Sequence, residues 1–305
     1  MFSPSGLLQI FLALVFAPMM LSIIHRTKAF FAGRHGPRWL QPYYELAKLL
    51  RKSAVYSHTT TPVFVLGPVV GCAATFAALW LVPAAGSAAV ISFPGDFLVV
   101  AYLLGTARFF TMSAALDTGS SFEGMGASRE AFFSALAEPA LLLSLSALAS
   151  FSHHGSLTGI YASMGGSMLA STVGPRILLV AAAMMIVFLA ENARIPVDDP
   201  NTHLELTMIH EVMVLDHSGP DFALIQYGAC LKLWILGSLL AGMLTPIRTG
   251  QFLVDLAAGL AGLALVAVLT GVVESVMGRL RLLRVPQFLI AASILSMVAF
   301  ALVVR

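Results

Sequence analysis

Eight apolar runs, near residues 5–24, 63–83, 93–113, 130–151, 173–190, 222–246, 252–273 and 286–304, constrain this chain more than any motif in it. Each is about 20 residues long, enough for an α-helix to cross a hydrocarbon core of about 30 Å. With 58% of residues hydrophobic and 10% charged, and a mean hydropathy of +0.90, the chain lacks the polar surface of a water-soluble globule. In lipid the backbone must satisfy its own hydrogen bonds, so such runs become helices. The expectation is an all-α membrane protein with about eight transmembrane helices, forming a single transmembrane domain over 1–305. The first run begins almost at Met1, with neither a basic leader nor a small-residue cleavage site, which predicts a retained helix rather than a removed signal peptide.

Lys and Arg between the runs set the orientation. Arg26, Lys28, Arg34, Arg38, Lys48, Arg51, Lys52, Arg129, Arg194, Arg279, Arg281 and Arg284 fall on one side, against Arg176, Arg248 and Arg305 on the other. The positive-inside rule makes the first side cytoplasmic and puts both termini outside the cytoplasm. Within it, 38–52 (RWLQPYYELAKLLRK) sets Leu40, Tyr43, Leu46, Leu49 and Leu50 on one helical stripe. That pattern is an interfacial amphipathic helix whose bases meet anionic lipid, a protein partner, or both. The preceding GRHGPRW turn puts Arg34 and Arg38 at the same edge.

Charge is scarce, so its placement is informative. Asp117, Glu123, Arg129 and Glu130 gather at the edge of the fourth run, and Glu138 lies about two turns inside it, beside Pro139. A proline loosens nearby backbone groups, and an intramembrane carboxylate marks either an ion route or a paired or protonated packing group. Glu191 opens an acidic loop, 191–221, with Arg194, Asp198, Glu205, Asp216 and the histidines His203, His210 and His217. Clustered carboxylates hold protons more tightly and imidazole titrates near neutrality, so the loop suits proton relay better than a metal cage, for which no HExxH register exists. Arg108 and Lys232 are the basic residues within runs. They require counter-charges, for which Glu138 and Glu191 are candidates; Glu274 ends the seventh run ahead of Arg279 and Arg281. Snorkelling to the interface is the alternative for Arg108. Cys72 and Cys230 sit inside runs without ligand spacing and read as core residues.

GRHGPRWLQPYYELAKLLRK, LDTGSSFEGMGASREAFFSALAEP, ENARIPVD with its later HSG, and ESVMGRLRL together resemble the membrane subunit shared by complex I (NADH:quinone oxidoreductase subunit 1) and energy-converting hydrogenases. The branch of formate hydrogenlyase subunit 4 and hydrogenase 4 is the nearer likeness. The resemblance implies a non-catalytic subunit of an oxidoreductase complex in a prokaryotic inner membrane. It would anchor a cytoplasmic redox arm of hydrogenase-like large and small subunits and iron–sulfur proteins, and link it to antiporter-like membrane subunits that move protons or sodium. It implies no cofactor on this chain; iron–sulfur clusters and a nickel–iron site would belong to partners, and nucleic acid is no partner. The matching ion-route positions are Glu138, Glu191, Asp198 and Glu205, with Asp216 standing for a further carboxylate. Arg108, Arg129, Arg194, Lys232 and Glu274 are the charge partners, and Arg34, Arg38, Asp117, Glu123, His203 and His210 the expected docking residues for the redox arm.

The loop departs from the family's pattern. Relatives tend to read DLxEAExEL followed by EYSG; this chain has DDPNTHLEL, an inserted IHEV and DHSG, so His203 replaces one carboxylate. A second expectation is a quinone-site subunit of a respiratory NADH:quinone oxidoreductase.

Overall fold

The computed structural model describes residues 4–84, 86–165, 173–198 and 208–304. Among them, ten α-helices follow in chain order: α1 (Pro4–Phe31), α2 (Gln41–Leu50), α3 (Pro62–Leu79), α4 (Asp96–Asp117), α5 (Ser121–Ser152), α6 (Leu157–Ser163), α7 (Gly174–Glu191), α8 (Gly219–Leu244), α9 (Phe252–Val276) and α10 (Val285–Val304). Short 3-10 turns cover Glu211–Val214 and Leu282–Arg284. Eight helical segments are long and apolar enough to cross a membrane, and they contain every helix except α2 and α6.

The spans reach further than their apolar runs. α1 continues to Phe31, α4 to Asp117, and α5 starts at Ser121. A helix does not end where hydrocarbon ends, because long side chains such as Arg26 and Lys28 place their charge in water from an apolar stem. The 32 residues of α5 rise about 48 Å, well beyond the about 30 Å core, so its first turns project past the bilayer. α4 and α5 form a hairpin joined only by residues 118–120, where Gly119 supplies the left-handed backbone (φ +70°) that the turn requires. Helix α6 is too short to show as a run. It is fixed by caps: Ser156 accepts the Gly159 N–H at 3.2 Å, and the buried Asp96 carboxylate accepts the Leu157 N–H at 2.8 Å.

Helix α8 is the centre of the bundle. It touches α1, α2, α3, α7 and α9, and 72% of its apolar window is buried, the largest share of any span. Leu231, Leu233 and Ile235 of α8 join Met184 and Phe188 of α7 and Ile24 of α1 in one core. Since lipid is as apolar as leucine, contact in such a bundle depends on close fit, which small residues permit. At Gly67 an added Cβ would lie 2.9 Å from the Ala114 Cβ and 3.1 Å from the Phe110 carbonyl oxygen. Helices α3 and α4 meet at that distance because position 67 has no side chain.

The amphipathic segment forms α2 at the end of the bundle where α1 finishes, called here the basic face. Tyr43 Oη donates to the Val15 carbonyl, Ser22 Oγ to the Trp39 carbonyl at 2.7 Å, and the Arg26 guanidinium lies 4.3 Å from the Trp39 ring centre. Lys48, Arg51 and Lys52 remain exposed.

Candidate functional site

Arg108 is the hub of the charged groups. It lies nine residues before the end of α4, about 13 Å along the axis, and is only 8% exposed. Because α4 runs on to Asp117, Arg108 is deep in its span and does not snorkel; its guanidinium turns inward. Nη1 is 3.2 Å from Glu138 Oε1, Nη2 is 3.3 Å from Glu191 Oε1, and Nε is 3.7 Å from Glu130 Oε1. Three helices, α4, α5 and α7, thus bring one cation and three carboxylates together. An isolated buried charge is very unfavourable, and mutual pairing is what lets such groups stay ionised away from water.

The cluster extends in two directions from this hub. Glu191 Oε2 lies 3.5 Å from Lys232 Nζ on α8. Glu130 Oε2 lies 3.1 Å from His210 Nε2, and His210 Nδ1 lies 3.3 Å from Asp198 Oδ2. Asp198 also holds Arg279 at 3.0 Å and accepts the backbone N–H groups of Ile209 at 3.1 Å and His210 at 3.0 Å. Burial alone would raise the Asp198 carboxyl, but hydrogen bonding and charge from His210, with Arg279 behind, hold it below its ordinary value. Burial would lower the His210 imidazole, yet Glu130 and Asp198 on either side raise it. A separate group forms nearby: Glu274, its side chain fully buried, sits 2.8 Å from Lys28 and 3.5 Å from Arg194.

The cluster has an inner and an outer side. Arg108, Glu130, Glu191, His210 and Lys232 line a cavity of about 370 Å³ whose walls come mainly from α1, α2, α3, α4 and α8. His25, Glu45, Cys72, Arg194 and Cys230 border the same space. Glu138 is on the other side of Arg108, and its side chain is 47% exposed on the lateral surface of the bundle. Arg108 therefore stands between this cavity and the lateral surface of the helix bundle.

Glu138 and Glu191, the candidate counter-charges, lie beside Arg108, with Lys232 next to Glu191, and Asp198 joins them through His210 and Glu130. Arg194 and Glu274 pair with each other, outside that cluster. Arg129 instead donates to the Met208 carbonyl at 3.0 Å, and Asp216 is exposed and joins none of the ion pairs described. Glu205 and His203 lie outside the described residues. Among the expected docking residues, Arg34 and Arg38 are exposed, and Asp117 ties the start of α3 by accepting the Thr61 N–H at 2.6 Å and its hydroxyl at 2.8 Å. Glu123 is 0% exposed, its carboxylate accepting the Asp216 N–H at 3.0 Å; His210 faces the cluster. The residue not anticipated as a member is Glu130. Its position as the first residue of the fourth apolar run was the available signal.

Eight spans packed around a central helix, an amphipathic helix on one face and a paired intramembrane charge cluster define an integral membrane subunit of the complex I type. The chain belongs to the NADH dehydrogenase family, whose profile matches residues 5–304. It is 30% identical over 284 residues to formate hydrogenlyase subunit 4 of Escherichia coli (strain K12), covering 90% of each chain. It is also 30% identical over 286 residues to hydrogenase-4 component C of the same organism, covering 91% of this chain and 88% of the relative. In fold it is similar to a chain of the membrane-bound sulfane sulfur reductase, an archaeal respiratory membrane complex, with a TM-score of 0.83, 22% identity and 98% of both chains covered.

Proposed function

We propose that this chain, as one transmembrane unit, is the anchoring and coupling subunit of a hydrogenase-type redox complex in a prokaryotic cell membrane. The basic face is cytoplasmic, with both termini on the opposite side. Arg34, Arg38 and the bases of α2 offer positive charge there to a redox arm of hydrogenase-like and iron–sulfur subunits, or to anionic lipid. Iron–sulfur and nickel–iron chemistry belongs to those partners. The chain's own contribution is charge transmission from that arm to proton or sodium translocation.

One observation carries this reading: Arg108 is shared by Glu130 and Glu191 at the cavity and by Glu138 at the lateral surface. A change in protonation on the cavity side alters the charge that Arg108 offers Glu138, a coupling of closely spaced ions in a low-dielectric site. Glu138 is half-exposed where lipid would oppose its charge. A neighbouring ion-pumping membrane subunit with a hydrogen-bonding or basic side chain fits that surface.

The test is Glu191→Gln in the intact complex, which removes a titratable group and keeps its shape. The expected result is normal assembly with lost or uncoupled ion translocation per redox turnover. Unchanged translocation and turnover would remove the carboxylate chain from the mechanism. The cavity itself supports a second reading, a quinone-site subunit of a respiratory dehydrogenase, since apolar walls with a few convergent polar groups suit an amphipathic ligand. Quinone-site blockers that stop turnover would favour it, and ferredoxin- or formate-linked hydrogen production would favour the first.

A further inference from the structure

The charge cluster divides into two halves that meet at one side chain. On the basic face, Asp198 is held by Arg279. In the membrane, Arg108 gathers Glu130, Glu138 and Glu191, with Lys232 behind. The His210 ring lies between them: Nδ1 is hydrogen-bonded to Asp198 Oδ2 at 3.3 Å, and Nε2 is 3.1 Å from Glu130 Oε2, a distance a small rotation of the ring turns into a hydrogen bond, since Nε2 has no hydrogen-bond partner among the described residues. Imidazole can accept a proton on one nitrogen while releasing one from the other.

The position of the ring is held from both sides. Its own backbone N–H and that of Ile209 bind Asp198 Oδ2, and the Arg129 guanidinium holds the Met208 carbonyl just before it. The 3-10 turn that follows packs over α5 at Gly126, where an added Cβ would meet Val212 at 2.4 Å. Among the described residues, the charges acting on the ring are Glu130 from α5, Asp198 from the loop after α7, Glu191 from α7 and Lys232 from α8. Among the described residues, the ion pairs of the cluster join the carboxylates Glu130, Glu138, Glu191 and Asp198 to the fixed cations Arg108, Lys232 and Arg279.

Building on the coupling function above, we propose that His210 is the proton junction between the Asp198–Arg279 pair on the basic face and the Arg108-centred carboxylates in the membrane. A proton arriving on Asp198 moves to Nδ1 of a ring that carries its hydrogen on Nε2. The imidazolium so formed releases the Nε2 proton to Glu130 Oε2. Asp198 returns to carboxylate, Glu130 becomes a neutral carboxyl, and the ring is neutral again with its hydrogen on Nδ1. A half-turn of the ring, or return of a proton by the same path, resets it. Neutralising Glu130 weakens its hold on Arg108 and strengthens that of Glu138 and Glu191.

The experiment compares His210→Gln with Glu191→Gln in the intact membrane complex, reading redox turnover and ion translocation across a pH series. Glutamine keeps a polar side chain and cannot titrate. Loss of a positioned acid–base group reduces the step about a hundredfold or more, so His210→Gln is expected to abolish measurable coupled translocation and to remove the inflection expected of the unsubstituted complex above the ordinary histidine value of about 6.5. Full coupled translocation with an unchanged pH profile in His210→Gln, while Glu191→Gln uncouples, overturns the junction and leaves the carboxylate reading intact. If neither substitution matters, the coupling reading itself fails. Should His210→Gln not assemble, Glu130→Gln decides: loss of that anion is expected to move the inflection to lower pH, and an unmoved inflection overturns the proposal.

Discussion

Removing the cation at the hub should reveal whether the cluster is one energetic unit. In Arg108→Met the three carboxylates at 3.2, 3.3 and 3.7 Å lose their shared counter-charge, and Glu191 keeps only Lys232 at 3.5 Å. At an effective dielectric constant of about 20, a unit charge pair at the Arg108–Glu191 distance is worth about 5 kcal/mol before desolvation. Desolvation offsets much of that, and breaking one side of a buried pair typically costs about 3–5 kcal/mol net. Arg108→Met is expected to lose that much stability, and Glu191→Gln about 3 kcal/mol because Lys232 is then left with little compensation. In the double variant the penalties overlap, giving a coupling energy of about 2 kcal/mol, within the range for contacting residues. Reversible unfolding of the four proteins by steric trapping in bicelles, at fixed pH and salt, measures it. A coupling energy within about 0.5 kcal/mol of zero, the additivity expected of independent sites, would refute the connected cluster.

Two further outcomes test the surroundings of the cluster. Gly126→Ala places a Cβ 2.4 Å from Val212 and 3.1 Å from the Ile209 carbonyl, so it should cost about 1–3 kcal/mol by overpacking; an unchanged thermal midpoint would show that the turn has room to move. His217 stacks on Phe64 with ring centres 4.0 Å apart, and burial lowers its imidazole despite Asp221 and Asp216. The unfolded chain then takes up the proton first, so stability is full above about pH 6.5 and declines as pH falls below it. His217→Phe should flatten that decline, and an identical pH–stability curve would contradict it.

The eight spans were legible because length and continuous hydropathy suffice to specify a membrane crossing, and the family likeness because four motifs keep their order. Helix ends were not legible. Polar residues such as Arg26 and Asp117 end an apolar run without ending the helix, which made Arg108 look closer to the interface than it is. Pairing was also hidden. Arg108 meets Glu191 through packing of α4, α5 and α7, and no local period relates residues so far apart in sequence. His210 read as a loop histidine because Glu130, the carboxylate beside its Nε2, comes from α5, 80 residues earlier. Asp216, similar in chemistry to Asp198, faces outward; residue type alone does not separate them.

The three-residue connection between α4 and α5 bears on how the protein is made. A single charged residue carried to the middle of a bilayer by one helix is opposed by about 2.5–3.5 kcal/mol during insertion. Here Arg108 and Glu138 sit on the two arms of one tight hairpin, 3.2 Å apart. They can enter the membrane as a neutral couple before the ribosome has synthesised Glu191 or Lys232. The later helices α7 and α8 then assemble around a charge site already in place, so the order of synthesis follows the order in which the site becomes chemically complete.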